Sequence, residues 1–389
     1  MSRTVLDKLL LHSFENYQVL FNHLAFHNHN AHHLGALYFL GASDQRLEEI
    51  YKLMCDVVDP YEPSPHKITA SNWRNFLGDK HSCKAYKDFF EYELTASGDN
   101  WRTKFLDLLL EDRAQPMMNS IVSGLLHSLI HIGYAFELDS RIVAIEALTQ
   151  TAVSYNELHE AVDKLTTPKS GSKSAFEVFQ GIRLDDRLSI GNDSLVDNLK
   201  LVVEQWNDLV LFHYDQWKFN ENNLEEMIED LFDLSVYIYG ATHKSDKIEF
   251  DFFLLHLLTG MHAIRVIHPH LHDQKIAQHV LFQFFYFAII IYIANHRPEI
   301  HKELIDDYEI EDTKKNWKYV IDRTLNSNLA EIMHLAKVVH SLKAAEDAYG
   351  TKNGLYLKTA FKTVDNVNAD APWIEVSDNL RHLSALKHA

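Results

Sequence analysis

The stretch Glu331-Ile332-Met333-His334-Leu335-Ala336-Lys337-Val338-Val339-His340 decides how the rest of the chain is read. It lies in a run with apolar residues at Leu325, Leu329, Ile332, Met333, Leu335, Val338, Val339 and Leu342, so one helix through it is apolar on nearly every side. A helix of that kind is buried. A buried helix has no ordinary use for two histidines and a lysine unless something meets them. At three residues' spacing, His334 and Lys337 lie roughly 60° apart on one face. A buried lysine needs a partner, a lowered pKa or a chemical modification.

The whole chain sets the bounds. Its 389 residues are 46% hydrophobic, enough for a large core, read as a single α-helical domain over 1–389. The formal charge of −18 argues against a nucleic-acid surface. The 25 histidines are clustered rather than scattered. Cys55 and Cys83 are the only cysteines, which excludes a disulfide framework and a Cys-rich zinc or iron–sulfur site and implies a reducing, cytoplasmic setting. Met1 to Lys8 does not read as a signal peptide, because charges interrupt it and no apolar core follows. Val280 to Ala294 is the most apolar run, but it falls short of the roughly 20 residues needed to cross a bilayer. It reads as a core helix, and no membrane span is expected. The chain is expected to act as a monomer or homodimer.

No strand alternation of useful length and no fixed-period repeat occur, so the class is all-α. Helices are expected over 4–26, over Asn28–Leu40 with Gly41 as its C-terminal cap, and from Ser43 or Asp44 to about Val58. Long helices are expected from Pro116 to Glu137, Asp139 to Leu165, Asp193 to Leu211, Leu224 to Gly240, Phe250 to Ile267, Asp273 to Asn295 and Lys314 to about Ala348. Residues 166–174, Thr-Thr-Pro-Lys-Ser-Gly-Ser-Lys-Ser, are the most linker-like segment.

Four further stretches put histidine where an apolar helix would not want it. In Phe26-His27-Asn28-His29-Asn30-Ala31-His32-His33, His29 is one turn from His32 and His33. His127 and His131 are four apart, as one face requires; His256 and His262 share the run Phe253 to Arg265; His268-Pro269-His270-Leu271-His272 reads as a solvated turn. Imidazole suits iron, zinc, copper and nickel, and two at four residues' spacing can reach one ion or that ion and its surroundings. A single histidine on an apolar helix is more often a hydrogen-bonded core residue, but several such helices in one chain with almost no cysteine favour a buried His-lined metal site. No G-x-G-x-x-G follows a strand, and no G-x-x-x-x-G-K-[ST], G-x-S-x-G or H-E-x-x-H is present.

Asn28-His29, Leu40-Gly41-Ala42-Ser43, His127 with His131-Ile132-Gly133-Tyr134, His256 with Thr259-Gly260 and Ala263-Ile264-Arg265, and His334-x-x-Lys337 together resemble the questin oxidase-like family, over roughly residues 26 to 345. The resemblance implies a single α-helical domain and an oxygenase linked to the opening of anthraquinone rings in aromatic polyketide pathways. It implies Fe(II) held by four histidines and an N-carboxylated lysine. Carried over by motif, the ligands are His29, His127, His256, His334 and Lys337, with His131 and His262 as alternatives at the second and third positions. Burial and the metal would leave the Lys337 amine neutral, so that it adds CO2 and becomes an anionic carbamate. Four imidazoles and one anion leave about one open octahedral position for O2 or substrate. His131, His262 and Arg265 then serve around the metal or on the substrate. His32 and His33 line the pocket, and the aromatic content suits a flat polycyclic substrate. The family is also described as NADPH-dependent Baeyer–Villiger-type oxidases, for which no dinucleotide fingerprint is visible. Competing readings are a zinc-dependent hydrolase using the same ligands and a non-catalytic helical scaffold. In the latter, Lys337 reaches the surface or pairs with Glu331 or Asp347.

Overall fold

Helices dominate, as the missing strand alternation implies. The computed structural model describes residues 2–112, 115–169, 171–191, 194–311 and 314–374. Their contacts form two compact units, one ending at Lys164 and the other beginning at Leu165. The expected helix start at Asp193 lies outside the described residues.

The first unit contains α1 (Arg3–Asn16), α2 (Asn30–Leu40), α3 (Asp44–Cys55), α4 (Cys83–Ala96), α5 (Trp101–Leu110), α6 (His127–Glu137), α7 (Arg141–Val153) and α8 (His159–Val162). The helix expected over 4–26 ends at Asn16. Left-handed backbone at Asn22, His23 and Leu24 instead turns a short hairpin, β1 (Leu20–Phe21) on β2 (Phe26–His27). Gly41 caps α2 with φ 99°, and the Ser43 hydroxyl accepts from Arg46 N at the start of α3, both as their residue types predict. The unit's centre is the hairpin of α6 and α7. Ser140 turns it, its hydroxyl accepting from Val143 N, and α7 is buried from Val143 to Val153.

The long helix expected from Pro116 to Glu137 does not form. A 3-10 turn over Met117–Ser120 leads into Gly124, Leu125 and Leu126, all with positive φ. Two leucines in left-handed backbone are strained, and such strain persists only where the surroundings hold it. Its consequence is that α6 starts at His127.

The second unit contains α9 (Ala175–Arg183), α10 (Leu195–Gln205), α11 (Asn207–Tyr214), α12 (Leu224–Gly240), α13 (Leu255–Ile267), α14 (Gln274–Ala294), α15 (Glu303–Asp306), α16 (Trp317–Leu325), α17 (Met333–Tyr349) and α18 (Leu355–Asn366). The expected helix from Lys314 to Ala348 is two helices. Asn328–Glu331 is 3-10 and Ile332 is extended, so α17 begins at Met333. The linker-like segment is tied down: Lys218 N donates to Lys173 O at 2.7 Å, and Ser172 N and Lys173 N both donate to Gln216 O at 3.1 Å. α14 runs for 21 residues, longer than its apolar run suggested, and is long and apolar enough to cross a membrane by length and composition. Its residues from Val280 to Ala294 are all buried, which makes it the core helix of this unit.

Gly35 sets how closely α2 approaches α6. A Cβ there would lie 2.7 Å from Tyr134 Cδ1 and 3.2 Å from Leu138 Cδ1. Tyr134 cannot swing away freely, because its ring stacks on His32 at 5.7 Å between centroids. Overpacking costs about 1–3 kcal/mol, against about 1 kcal/mol gained in helix propensity. Gly35→Ala is therefore expected to lower the urea midpoint by about 1 kcal/mol equivalent; a rise would show that the two helices can part.

Candidate metal centre

In the first unit the site begins at the end of the hairpin. Asn28 Oδ1 accepts from Asn30 N at 2.9 Å, an Asx turn that spans His29, and Asn28 Nδ2 donates to Gln18 O at 3.1 Å. His29 is thereby fixed at the mouth of α2. His29 Nε2 and His127 Nε2 face one another at 2.9 Å. His127 Nδ1 lies 2.6 Å from Gly124 O. A carbonyl oxygen only accepts, so Nδ1 carries the proton and Nε2 presents its lone pair. Two cis ligands at ~2.1 Å from an ion are about 3.0 Å apart, close to the spacing of this pair.

His131, the alternative at this position, is engaged otherwise. Its Nδ1 meets His32 Nε2 at 2.9 Å and its Nε2 lies 3.4 Å from Glu146 Oε2, with both residues buried. His29 and His32 rings meet edge to face at 5.6 Å. His33 is also buried. Sequence reading left His27 without a role, yet its ring stacks on His127 at 4.7 Å and 11°, and its Nε2 bonds Ser154 Oγ at 3.1 Å. His27, Lys80, Ser154, Tyr155 and His159 line a cleft of about 620 Å³ in this unit.

The second unit carries the other candidates. His256 Nδ1 lies 2.9 Å from Phe252 O, so this imidazole too donates to a carbonyl and presents Nε2. Its ring is 5.0 Å from that of His334, and the Phe252 ring packs edge-on against both. Asp251 anchors this turn: its Oδ1 accepts from Phe253 N and Leu254 N at 2.8 and 2.9 Å. Burial pushes its carboxyl up to about 6. Nothing in the residue pattern marked Asp251, because a single acid before an apolar run is commonplace. His262, the alternative at the third position, packs on His340 at 4.7 Å, and Arg265 Nη2 lies 3.5 Å from its Nδ1.

Lys337 follows His334 by three residues on α17 and is fully buried. Among the described residues its Nζ has no hydrogen-bond partner. Among the described residues neither surface escape nor an acidic partner is found for Lys337, and Asp347 pairs with Lys343. Another buried lysine gives the contrast. Lys362 Nζ donates to Leu304 O, Gly240 O and His243 Nε2 at 2.8, 3.2 and 2.8 Å.

The questin oxidase-like family model matches residues 26–342. The chain belongs to that family. Among curated relatives, it is 24% identical to the oxidoreductase AflY of Aspergillus parasiticus, over 93% of this chain and 78% of that protein. It is 24% identical to the Baeyer-Villiger monooxygenase dmxR6 of Cryptosporiopsis sp. and 19% identical to questin oxidase of Aspergillus terreus, in each case over 67% of this chain and 62% of the relative's length. Family and relatives support an oxidoreductase.

In this questin oxidase-like chain, buried histidines are grouped closely enough to hold a metal ion. Three features fit a metal: two imidazoles with Nδ1 tied to a carbonyl, two Nε2 atoms at cis-ligand spacing, and a buried amine without a partner. Imidazoles with a fixed Nδ1–H are the usual form of a metal-ligating histidine.

Burial lowers the Lys337 pKa from 10.5 to about 7. Above 10.5 the amine is neutral in both folded and unfolded chains. As pH falls from there to about 7, the unfolded chain takes up a proton that the folded chain does not, so stability falls; below about 7 the loss is complete. In metal-stripped, CO2-free protein, Lys337→Met is therefore expected to be more stable than wild type at pH 7, by several kcal/mol at most. The difference should close as pH approaches 10.5. Parallel stability–pH curves for the two proteins would show that the lysine is not buried uncharged.

Proposed function

We propose that the protein is a non-heme iron, O2-dependent oxygenase that oxidatively cleaves a ring of an aromatic polyketide, with an anthraquinone-like compound as the substrate class. His29, His127, His256, His334 and Lys337 are the proposed Fe(II) ligands. The observation that carries this reading is Lys337: a buried amine without a hydrogen-bond partner among the described residues, three residues from a histidine in a member of the questin oxidase-like family.

The chain's own residues prepare the site. Gly124 O and Phe252 O hold the Nδ1 protons of His127 and His256, which leaves their Nε2 lone pairs for the ion. The neutral Lys337 amine attacks CO2, forming an N–C bond as one C=O π bond opens onto oxygen and releasing one N–H proton to water, and the product is an anionic carbamate with two oxygen donors. Bound iron supplies activation of O2. Arg265 offers a guanidinium to a phenolate or to a ring-opened carboxylate. His32, held by His131, and His33 are proposed to face the substrate, and His262 to steady Arg265.

The relatives named as Baeyer–Villiger enzymes favour a second reading, monooxygenation with two electrons from NADPH. Isotopic oxygen separates the two. Ring cleavage by a dioxygenase places both atoms of 18O2 in product, whereas monooxygenation places one in product and one in water and consumes a reductant. A zinc hydrolase would turn over without O2.

Tag-free protein purified anaerobically is expected to hold about one iron per chain, read by elemental analysis. Lys337→Ala should lose iron and turnover, and His29→Ala and His256→Ala should each do the same, as proposed ligands. Added bicarbonate should speed iron uptake by the wild type and leave Lys337→Ala unaffected. Unchanged iron content in Lys337→Ala would sink the assignment.

A further inference from the structure

Left-handed backbone suits glycine and asparagine; for a residue as bulky as leucine it is an outlier. Among the described residues three leucines adopt it: Leu24 (φ 64°), Leu125 (φ 56°) and Leu126 (φ 64°). They come from two loops of the first unit that lie far apart in sequence. Both loops border one cleft, the one of about 620 Å³ lined by His27 and Tyr155. Leu24 O accepts from Nζ of Lys80, a lining residue, at 3.1 Å. Leu125 and Leu126 follow Gly124, which also lines it. Backbone strain of this kind clusters where a site must hold a ligand.

The strain has a local product. With φ 59°, Gly124 sets its Cα against the His27 ring, where a Cβ would lie 2.7 Å from both Cε1 and Nε2. His27 is seated there, tied to Ser154 Oγ at 3.1 Å and stacked on His127 at 4.7 Å. His27 is half-buried in the cleft wall, and His127 is buried. The cleft therefore ends at a ring in face-to-face contact with a proposed metal ligand.

The other walls indicate the class of ligand. Tyr155 and His159 stack at 4.5 Å and 29°, which gives the cleft an aromatic side. Lys80, Glu157 and Glu160 line it from exposed positions. One lysine against two acids is the wrong balance for a phosphate or another polyanion. It suits a flat, neutral ligand whose rim carries both hydrogen-bond donors and acceptors. The volume lies within the roughly 300–1,000 Å³ usual for small-molecule sites.

We propose that this cleft is a recruitment site for the hydroxylated polycyclic aromatic substrate. The rings lie along Tyr155 and His159, and the rim hydroxyls and carbonyls meet Lys80 and the two acids. A ligand held there meets His27 first, and through it the stacked His127. The site rests on the geometry of the first unit; the anthraquinone-like class of its occupant rests on the function proposed above.

The test is a titration of metal-free, full-length protein with danthron, a neutral dihydroxyanthraquinone, followed by its visible absorption. Binding at one site per chain is expected. Glu157→Trp fills the cleft from an exposed position and should abolish binding while leaving the urea midpoint unchanged. Tyr155→Leu should weaken binding by roughly tenfold, the worth of one aromatic contact. Bound danthron should also shield Lys80 from acetylation, read by mass spectrometry. A wild type that does not bind danthron would overturn the proposal, and so would undiminished binding in both variants. The metal reading fails separately. If the wild type takes up no iron yet binds danthron, and Glu157→Trp does not, the recruitment site stands without the oxygenase. Iron uptake and turnover with both variants binding like wild type would sink the cleft alone.

Discussion

An amine that the fold buries and leaves without an acceptor constrains everything around it. Lys337 and Lys362 are both buried lysines, yet their situations are opposite. Lys362 spends its donors on two carbonyls and an imidazole, and burial alone brings its pKa to about 8. It is a clamp between α18, the end of α12 and α15. Lys337 has no such acceptors among the described residues, and its pKa falls further, to about 7. A chain selected for stability alone would carry leucine or methionine there. A lysine held neutral is a nucleophile, and the reaction open to a neutral amine in the presence of CO2 turns a liability into an anion. The environment that disfavours ammonium leaves the amine available for the modification proposed above, which in turn requires a cation to meet the new charge.

The four candidate histidines share a placement that their sequence contexts conceal. His29 is the residue preceding α2, His127 is the first of α6, and His256 and His334 are the second residues of α13 and α17. The positive end of a helix is a poor place for a cation and a good one for a neutral lone-pair donor or an anion. A residue in the first turn is also aimed by whatever precedes the helix. Here those devices differ: an Asx turn at Asn28, left-handed leucines before His127, the Asp251 anchor before His256 and an extended Ile332 before His334. Four unrelated local devices thus fix where each helix starts, and with it where the imidazole in or beside its first turn sits.

This explains which parts of the molecule were legible in the sequence. Class, caps and the apolar cores of α12, α13 and α14 could be read, because periodicity and capping residues report them directly. Histidines on apolar runs, and a lysine three residues after one of them, could be singled out on chemistry. The helix breaks could not. Ile121, Val122, Leu125 and Leu126 carry the spacing of an unbroken helix, and only tertiary packing forces Gly124 to Leu126 into left-handed backbone. The same holds for Leu325 to Leu342, where apolar spacing carries straight through a break at Ile332. Glu146 and Ser154 were invisible for another reason: polar groups along a buried helix have meaning only once the histidines they meet are known.

The fold also bears on the source of electrons. Baeyer–Villiger-type monooxygenation consumes two electrons, and the familiar way to bind a nicotinamide dinucleotide uses parallel strands, with the pyrophosphate at the start of the following helix. Among the described residues the only paired strands are Leu20–Phe21 and Phe26–His27, two residues each and antiparallel. They join the end of α1 to His29 and leave no strand-to-helix crossover of the kind that cradles a dinucleotide. A nicotinamide serving this protein would have to bind by a different geometry or pass its electrons on from another protein. Oxidative cleavage that incorporates both atoms of O2 makes no such demand, since the substrate itself supplies all four electrons. The two chemistries thus ask different things of the same histidines.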